Sequence, residues 1–298
     1  MEYKNLGKSD LKVSRVSFGC MSLGQDDAEN KKLLHTALNQ GITLFDTADL
    51  YGNGENEKTV GQALKGIRNQ VIIATKVGNQ WRPDGSGWDW NPRKEYILQA
   101  VDKSLQRLQT DYIDLYQLHG GTLDDPIDET IEAFERLQES GKIRYYGISS
   151  IRPNVIREYV NQSHIVSVMM QYSLLDRRPE ESAFNLLTDN NIGVLVRGSL
   201  AQGLLAGKPA KAYLNYSPEE VSTAAQAIQK LAGNYRTAAE VATHFVLIHP
   251  AITTAVLGIR TSEQLNQALA ISQNQALTPA ETEQLRQTLL PNTYEQHR

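Results

Sequence analysis

Phe45-Asp46-Thr47-Ala48-Asp49-Leu50-Tyr51-Gly52 sets a carboxylate and a phenol five residues apart, directly after an apolar run that reads as a β-strand. Two later strands end alike. Val71-Ile72-Ile73-Ala74-Thr75-Lys76 closes on a lysine, and Tyr112-Ile113-Asp114-Leu115-Tyr116-Gln117-Leu118-His119 closes on a histidine. Apolar strands do not need terminal Asp, Tyr, Lys and His for packing, so four such endings point to one polar site built from several strands. That arrangement belongs at the C-terminal rim of a parallel barrel.

Outward from this stretch, strand-like and helix-like patterns alternate from Val13 to Ala270 with short connections, the pattern of βαβ units and a parallel sheet. Eight strands are expected near Val16–Gly19, Thr43–Asp46, Val71–Lys76, Ile113–His119, Tyr145–Ser149, Val168–Gln171, Val194–Arg197 and Thr254–Gly258. Helices are expected at Asp27–Asn39, Glu55–Lys65, Arg93–Leu108, Ile127–Glu139, Pro153–Val160, Pro179–Asn190, Thr237–Ile248 and Ser262–Ala270, where apolar residues recur at three and four. Gly41, Gly141 and Gly193 each follow a helical pattern, where a left-handed residue ends a helix. Eight such units give a closed (β/α)8 barrel, expected here as a single domain over residues 1–298.

Three pieces stand outside the repeat. Tyr3 to Val16 alternates around the turn-like Gly7-Lys8-Ser9-Asp10 and could form a hairpin across the barrel floor. An extra helix is expected in the seventh connection, Ser217 to Leu231, and a final one from Pro279 to Leu290 behind the capping residue Thr278. The segment Gly78 to Pro92 reads as a long loop on the same rim as Lys76 and carries Trp81, Trp88 and Trp90. Those rings either pack on one another or wall a substrate pocket, and the two are compatible.

Of the 298 residues, 40% are apolar and 21% charged, enough for a sizeable core. A net charge of -4 leaves no electrostatic footprint for nucleic acid. The N-terminus lacks an apolar signal core, and no segment offers roughly 18 uninterrupted apolar residues, so no membrane partner is expected and a cytoplasmic protein is the simplest reading. The single cysteine, Cys20, excludes an intrachain disulfide and reads as a small apolar filler near a strand end, with a reactive thiol as the alternative. No metal-binding motif occurs, and no G-x-G-x-x-G supports a Rossmann site.

The four strand-end groups can work together. A phenol with an ordinary pKa of about 10 is a poor acid near neutrality unless a cation stabilises its phenolate. Lys76 is the candidate cation, and Asp46 offsets the cost of burying it. His119 can donate a second hydrogen bond to a carbonyl oxygen, so that it and Tyr51 stabilise charge developing there. Tyr51 then delivers the proton.

With these residues in place the chain resembles the aldo-keto reductase superfamily over essentially its whole length. The resemblance is carried by Phe45 to Gly52, Ala74-Thr75-Lys76, Leu118-His119, Gly147-Ile148-Ser149-Ser150, Gln171-Tyr172-Ser173 and Gly203-Leu204-Leu205-Ala206-Gly207-Lys208. It implies a (β/α)8 barrel that binds NADPH and reduces aldehydes or ketones. Asp46, Tyr51, Lys76 and His119 would be the catalytic four. It also implies that Ser149 and Gln171 hold the nicotinamide carboxamide. Gly198, Ser199, Leu200, Gln202 and Lys208 would lie over the pyrophosphate, and Arg260 and Gln264 on the adenosine 2'-phosphate. Gly19, Gly258 and Arg197 complete the cofactor set. The chain departs from the family pattern at Ser150 (often Asn), at Arg197 (often aromatic) and at Ala268 (often Asn). Two other functions fit the same residues, a Lys76 Schiff-base lyase and a cofactor-sensing regulatory subunit.

Overall fold

The structure, a computed structural model, describes residues 1–298. In chain order its elements are β1 (Tyr3–Asn5), β2 (Lys12–Ser14), β3 (Val16–Gly19), α1 (Asp27–Asn39), β4 (Leu44–Asp46), α2 (Glu55–Leu64), β5 (Ile72–Val77), β6 (Asn79–Trp81) and β7 (Trp88–Trp90). There follow α3 (Lys94–Leu108), β8 (Ile113–Leu118), α4 (Ile127–Glu139), β9 (Ile143–Ser149), α5 (Pro153–Gln162), β10 (Ser167–Gln171), α6 (Ala183–Asp189) and β11 (Gly193–Arg197). The chain ends with α7 (Pro218–Ala232), α8 (Ala238–Leu247), β12 (Ile252–Gly258), α9 (Ser262–Gln273) and α10 (Pro279–Arg286).

Strands β3, β4, β5, β8, β9, β10, β11 and β12 pair in parallel in that order and close on themselves, with β12 against β3. This is a (β/α)8 barrel. Its helices are specified locally as well as by packing. Asp26 accepts from Ala28 and Glu29 at the start of α1, and α7 and α10 open on capping boxes, Ser217 with Glu220 and Thr278 with Glu281. In α4 the buried residues Thr130, Ala133, Phe134 and Leu137 recur at three and four, which turns one stripe onto the barrel.

The period of two along a strand places the site. Leu44, Ala74, Leu115, Met169, Leu195 and Val256 form an apolar layer inside the barrel, joined from below by Leu6, Leu11 and Val13 of the N-terminal hairpin. Two residues further along the same strands stand Asp46, Lys76, Gln117, Gln171, Arg197 and Gly258, on the same face but nearer the C-terminal rim. The hairpin of β1 and β2 therefore plugs the floor, as its alternation suggested. Gly7 lies so close to the floor that a Cβ there would sit 2.3 Å from the Val166 carbonyl oxygen.

Several expectations need correction. Gly193 is not a left-handed cap. It opens β11, and the left-handed residue after α6 is Asn191, with φ 50°. Glycine is required at 193 because a Cβ would meet the Gly7 nitrogen at 2.7 Å. Gly41 and Gly141 do adopt positive φ, 96° and 74°. The helix expected over Pro179–Asn190 is broken into a 3-10 turn, Arg178–Glu181, and α6, because Ser182 leaves helical geometry. The segment Gly78–Pro92 is not a plain loop but a hairpin, with Asn79 paired to Trp90 and Trp81 to Trp88. The last helix stops at Arg286.

Candidate active site

A cavity of about 850 Å³ opens at the C-terminal rim and is lined by Asp46, Tyr51, Lys76 and His119 together. Lys76 is buried and donates to both carboxylate oxygens of Asp46, at 2.7 and 2.8 Å, and to the Thr47 carbonyl at 2.7 Å. Burial alone would push the ammonium's pKa down, but Asp46 and Tyr51 hold it above the ordinary lysine value, so the cation persists.

Tyr51 follows β4 in a turn that is left-handed at Gly52, Asn53 and Gly54, with φ of 58°, 55° and 86°. The turn cannot relax. A Cβ on Gly54 would lie 2.7 Å from Arg107 Cδ, and Arg107 is fixed by Glu57, a wholly buried carboxylate that also accepts from Thr75. On the other side Asn56 bridges Thr47 Oγ1 and the Cys20 carbonyl. Lys76 Nζ lies 5.2 Å from the centre of the Tyr51 ring. One expectation is modified here. Burial raises the phenol's pKa, and Lys76 opposes that rise without reversing it, so Tyr51 stays protonated near neutrality.

His119 packs edge-on to Tyr51, ring centres 6.0 Å apart. Burial, then the cations Lys76 and Arg197, pull its pKa down to about 3, which keeps the imidazole neutral. Its Nδ1 is buried without a partner.

Trp88 and Trp90 stand on the cavity wall, and Trp81 lies outside it. Trp90 is pinned through Nε1 to Asp125 at 2.9 Å. Its ring takes the space above Gly78, where a Cβ would come within 2.6 Å.

The residues expected around a cofactor fall into two groups. Gly19, Ser149, Arg197, Gly198 and Gly258 line the cavity. Ser199, Leu200, Gln202, Lys208, Arg260 and Gln264 lie outside its lining, in the segments that follow β11 and β12. Gln171 is also outside, since its amide donates to Tyr213 and accepts from Arg197. Gln264 folds back to accept from the Arg260 backbone. Ser150, at the departure from the family pattern, accepts from the Arg152 backbone at 3.2 Å. Cys20 is buried, which raises its thiol well above the ordinary range, consistent with a filler.

Sequence reasoning missed Met21, Asn79, Thr122 and Arg152, all on the cavity wall. Each follows a barrel strand within a few residues, and that proximity to a strand's C-terminal end was the available signal. It also missed Asp49, whose carboxyl is buried behind the Tyr51 turn with Oδ1 unpartnered.

Fold and site together define a (β/α)8 barrel with a polar, cation-containing cavity on its catalytic face. The chain belongs to the aldo/keto reductase family, whose model matches residues 15–289, and it is an oxidoreductase. It is 47% identical to the "uncharacterized oxidoreductase YqkF" of Bacillus subtilis over the full length of both chains. It is 37% identical to the NADH-specific methylglyoxal reductase of Escherichia coli over 70% of each. Among solved structures it superposes on the holo form of aldo-keto reductase AKR11C1 from Bacillus halodurans with a TM-score of 0.94, at 49% identity, covering 100% of this chain and 99% of that one. No helix is long and apolar enough to cross a membrane.

Proposed function

We propose that this protein reduces aldehydes or ketones with NADPH, Tyr51 delivering the proton to the carbonyl oxygen. The observation that carries this reading is the convergence of Tyr51, His119 and the Lys76–Asp46 ion pair on one cavity. The nicotinamide cofactor supplies the hydride.

The chain's own groups then have definite tasks. A neutral His119 and a protonated Tyr51 can both donate to a carbonyl oxygen, and they stabilise it best as negative charge develops. When Tyr51 gives up its proton, the phenolate is left beside Lys76, whose charge lowers the cost of that step. Asp46 keeps the ammonium charged and immobile. Held by two oxygens of Asp46 and a carbonyl, Lys76 is a protonated cation and a poor amine nucleophile, which counts against Schiff-base chemistry.

The residues fit an anionic dinucleotide. Arg197, Lys208 and Arg260 are exposed on neighbouring rim segments and free of carboxylate partners, and α9 turns its N-terminus toward the same edge behind Thr261. Arg260 can grip a 2'-phosphate in a forked manner, which favours NADPH over NADH. The NADH specificity in the name of the Escherichia coli relative makes NADH the competing reading.

Tyr51→Phe tests the assignment. It should lower kcat by about a hundredfold to ten-thousandfold, the usual worth of a positioned proton donor, while leaving cofactor affinity within a factor of two or three. Turnover equal to the parent's removes Tyr51 from its role.

A further inference from the structure

Arg152 stands on the cavity wall with no assigned task. It follows Ser149 and Ser150 at the end of β9, and its guanidinium donates to the Gly121 carbonyl and to no carboxylate. The other charged groups of the lining are accounted for. Lys76 is matched by Asp46, and Arg197 is bonded to Gln171 on the side of the cofactor segments. Asp125, the acidic side chain next to Gly121, is committed to Trp90 Nε1 and to the backbone and hydroxyl of Thr122. The cavity therefore carries one cation more than its own chemistry and the expected cofactor contacts explain.

Its place in the barrel separates it from the expected pyrophosphate and adenosine contacts, which follow β11 and β12, while Ser149, expected at the nicotinamide, stands three residues before it at the end of β9. Arg152 follows β9 and bonds to the segment after β8, beside the tryptophan hairpin that follows β5. It thus belongs to the arc that holds His119, Trp88 and Trp90. The Gly121 contact uses one of five guanidinium N–H groups, and the remaining ones form a fork suited to a carboxylate.

Resting on the reductase reading above, we propose that Arg152 is a substrate-binding residue and that the substrates are carbonyl compounds carrying a carboxylate at the end remote from the reacting carbon. The tryptophan wall covers the apolar middle of such a molecule while Tyr51 and Arg152 take its two polar ends.

The test compares 4-carboxybenzaldehyde with its methyl ester, and 5-oxopentanoate with its methyl ester, in the parent, Arg152→Met and Arg152→Lys proteins. In the parent, kcat/KM for at least one acid should exceed that of its ester by about tenfold or more, the usual worth of a charge-assisted hydrogen bond. Arg152→Met should abolish that ratio, chiefly through KM, and Arg152→Lys should restore part of it. The proposal is overturned if the parent does not prefer either acid, or if Arg152→Met lowers acid and ester equally, as a merely structural role would. A parent that reduces none of the four with NADPH or NADH overturns the reductase reading itself, and this proposal with it.

Discussion

His119 makes the folded state sensitive to acid by an amount that its surroundings set. In the unfolded chain its imidazole titrates near the ordinary 6.5, and in the folded protein burial and the neighbouring cations hold it down to about 3. Between those values the unfolded chain binds a proton that the folded one refuses, so stability falls as pH falls through this window. From pH 7 to pH 5 the loss from this one side chain is about 2 kcal/mol, and it would reach roughly 4 kcal/mol at pH 3, at about 1.4 kcal/mol per pKa unit. His119→Asn removes the titrating group. His244 and His249, also held low by burial, contribute equally to parent and variant and cancel in the difference. The assay is urea unfolding of ligand-free protein, followed by tryptophan fluorescence at pH 7 and pH 5. The parent should lose about 2 kcal/mol more than the variant across that interval. Equal losses would mean that His119 takes up its proton as readily in the folded protein as in the unfolded chain, and its assignment as an imidazole held neutral by its surroundings would fall.

The remaining predictions concern the cofactor and the wall. Arg260→Ala should raise Kd for NADPH by about tenfold or more while moving that for NADH much less, as expected for one lost charge-assisted contact. An unchanged preference in fluorescence titrations would mean that the 2'-phosphate is held elsewhere. Gly78→Ala should displace the Trp90 ring, since the added methyl would come within 2.6 Å of it, and the positive φ of 124° adds backbone strain. Its expected signature is a raised KM for bulky aldehydes with the Tyr51-dependent step intact, and a KM equal to the parent's would show that Trp90 does not shape the pocket.

The barrel was legible because its signal repeats. Each unit carries an apolar strand, a helical stripe and a polar residue at the strand end, and the period of two that buries Leu44 and Ala74 also places Asp46 and Lys76 on one face. What the residues could not disclose depended on contacts between segments distant in the chain. Glycine at 193 is explained by the approach of Gly7, more than half the chain away in sequence. The tryptophan hairpin has too few strand residues to show a period, and it is fixed by Asp125 from another connection. Nor could the sequence disclose that the Gln171 amide, expected at the nicotinamide, also meets Tyr213 and Arg197. For Tyr51 the sequence shows the neighbouring cation but not the burial that raises the phenol's pKa against it.

The plug that β1 and β2 form beneath Leu44, Ala74 and Leu115 turns the barrel into a blind well. The floor is closed by the hairpin, so anything that reaches Tyr51 and Lys76 enters and leaves by the C-terminal rim.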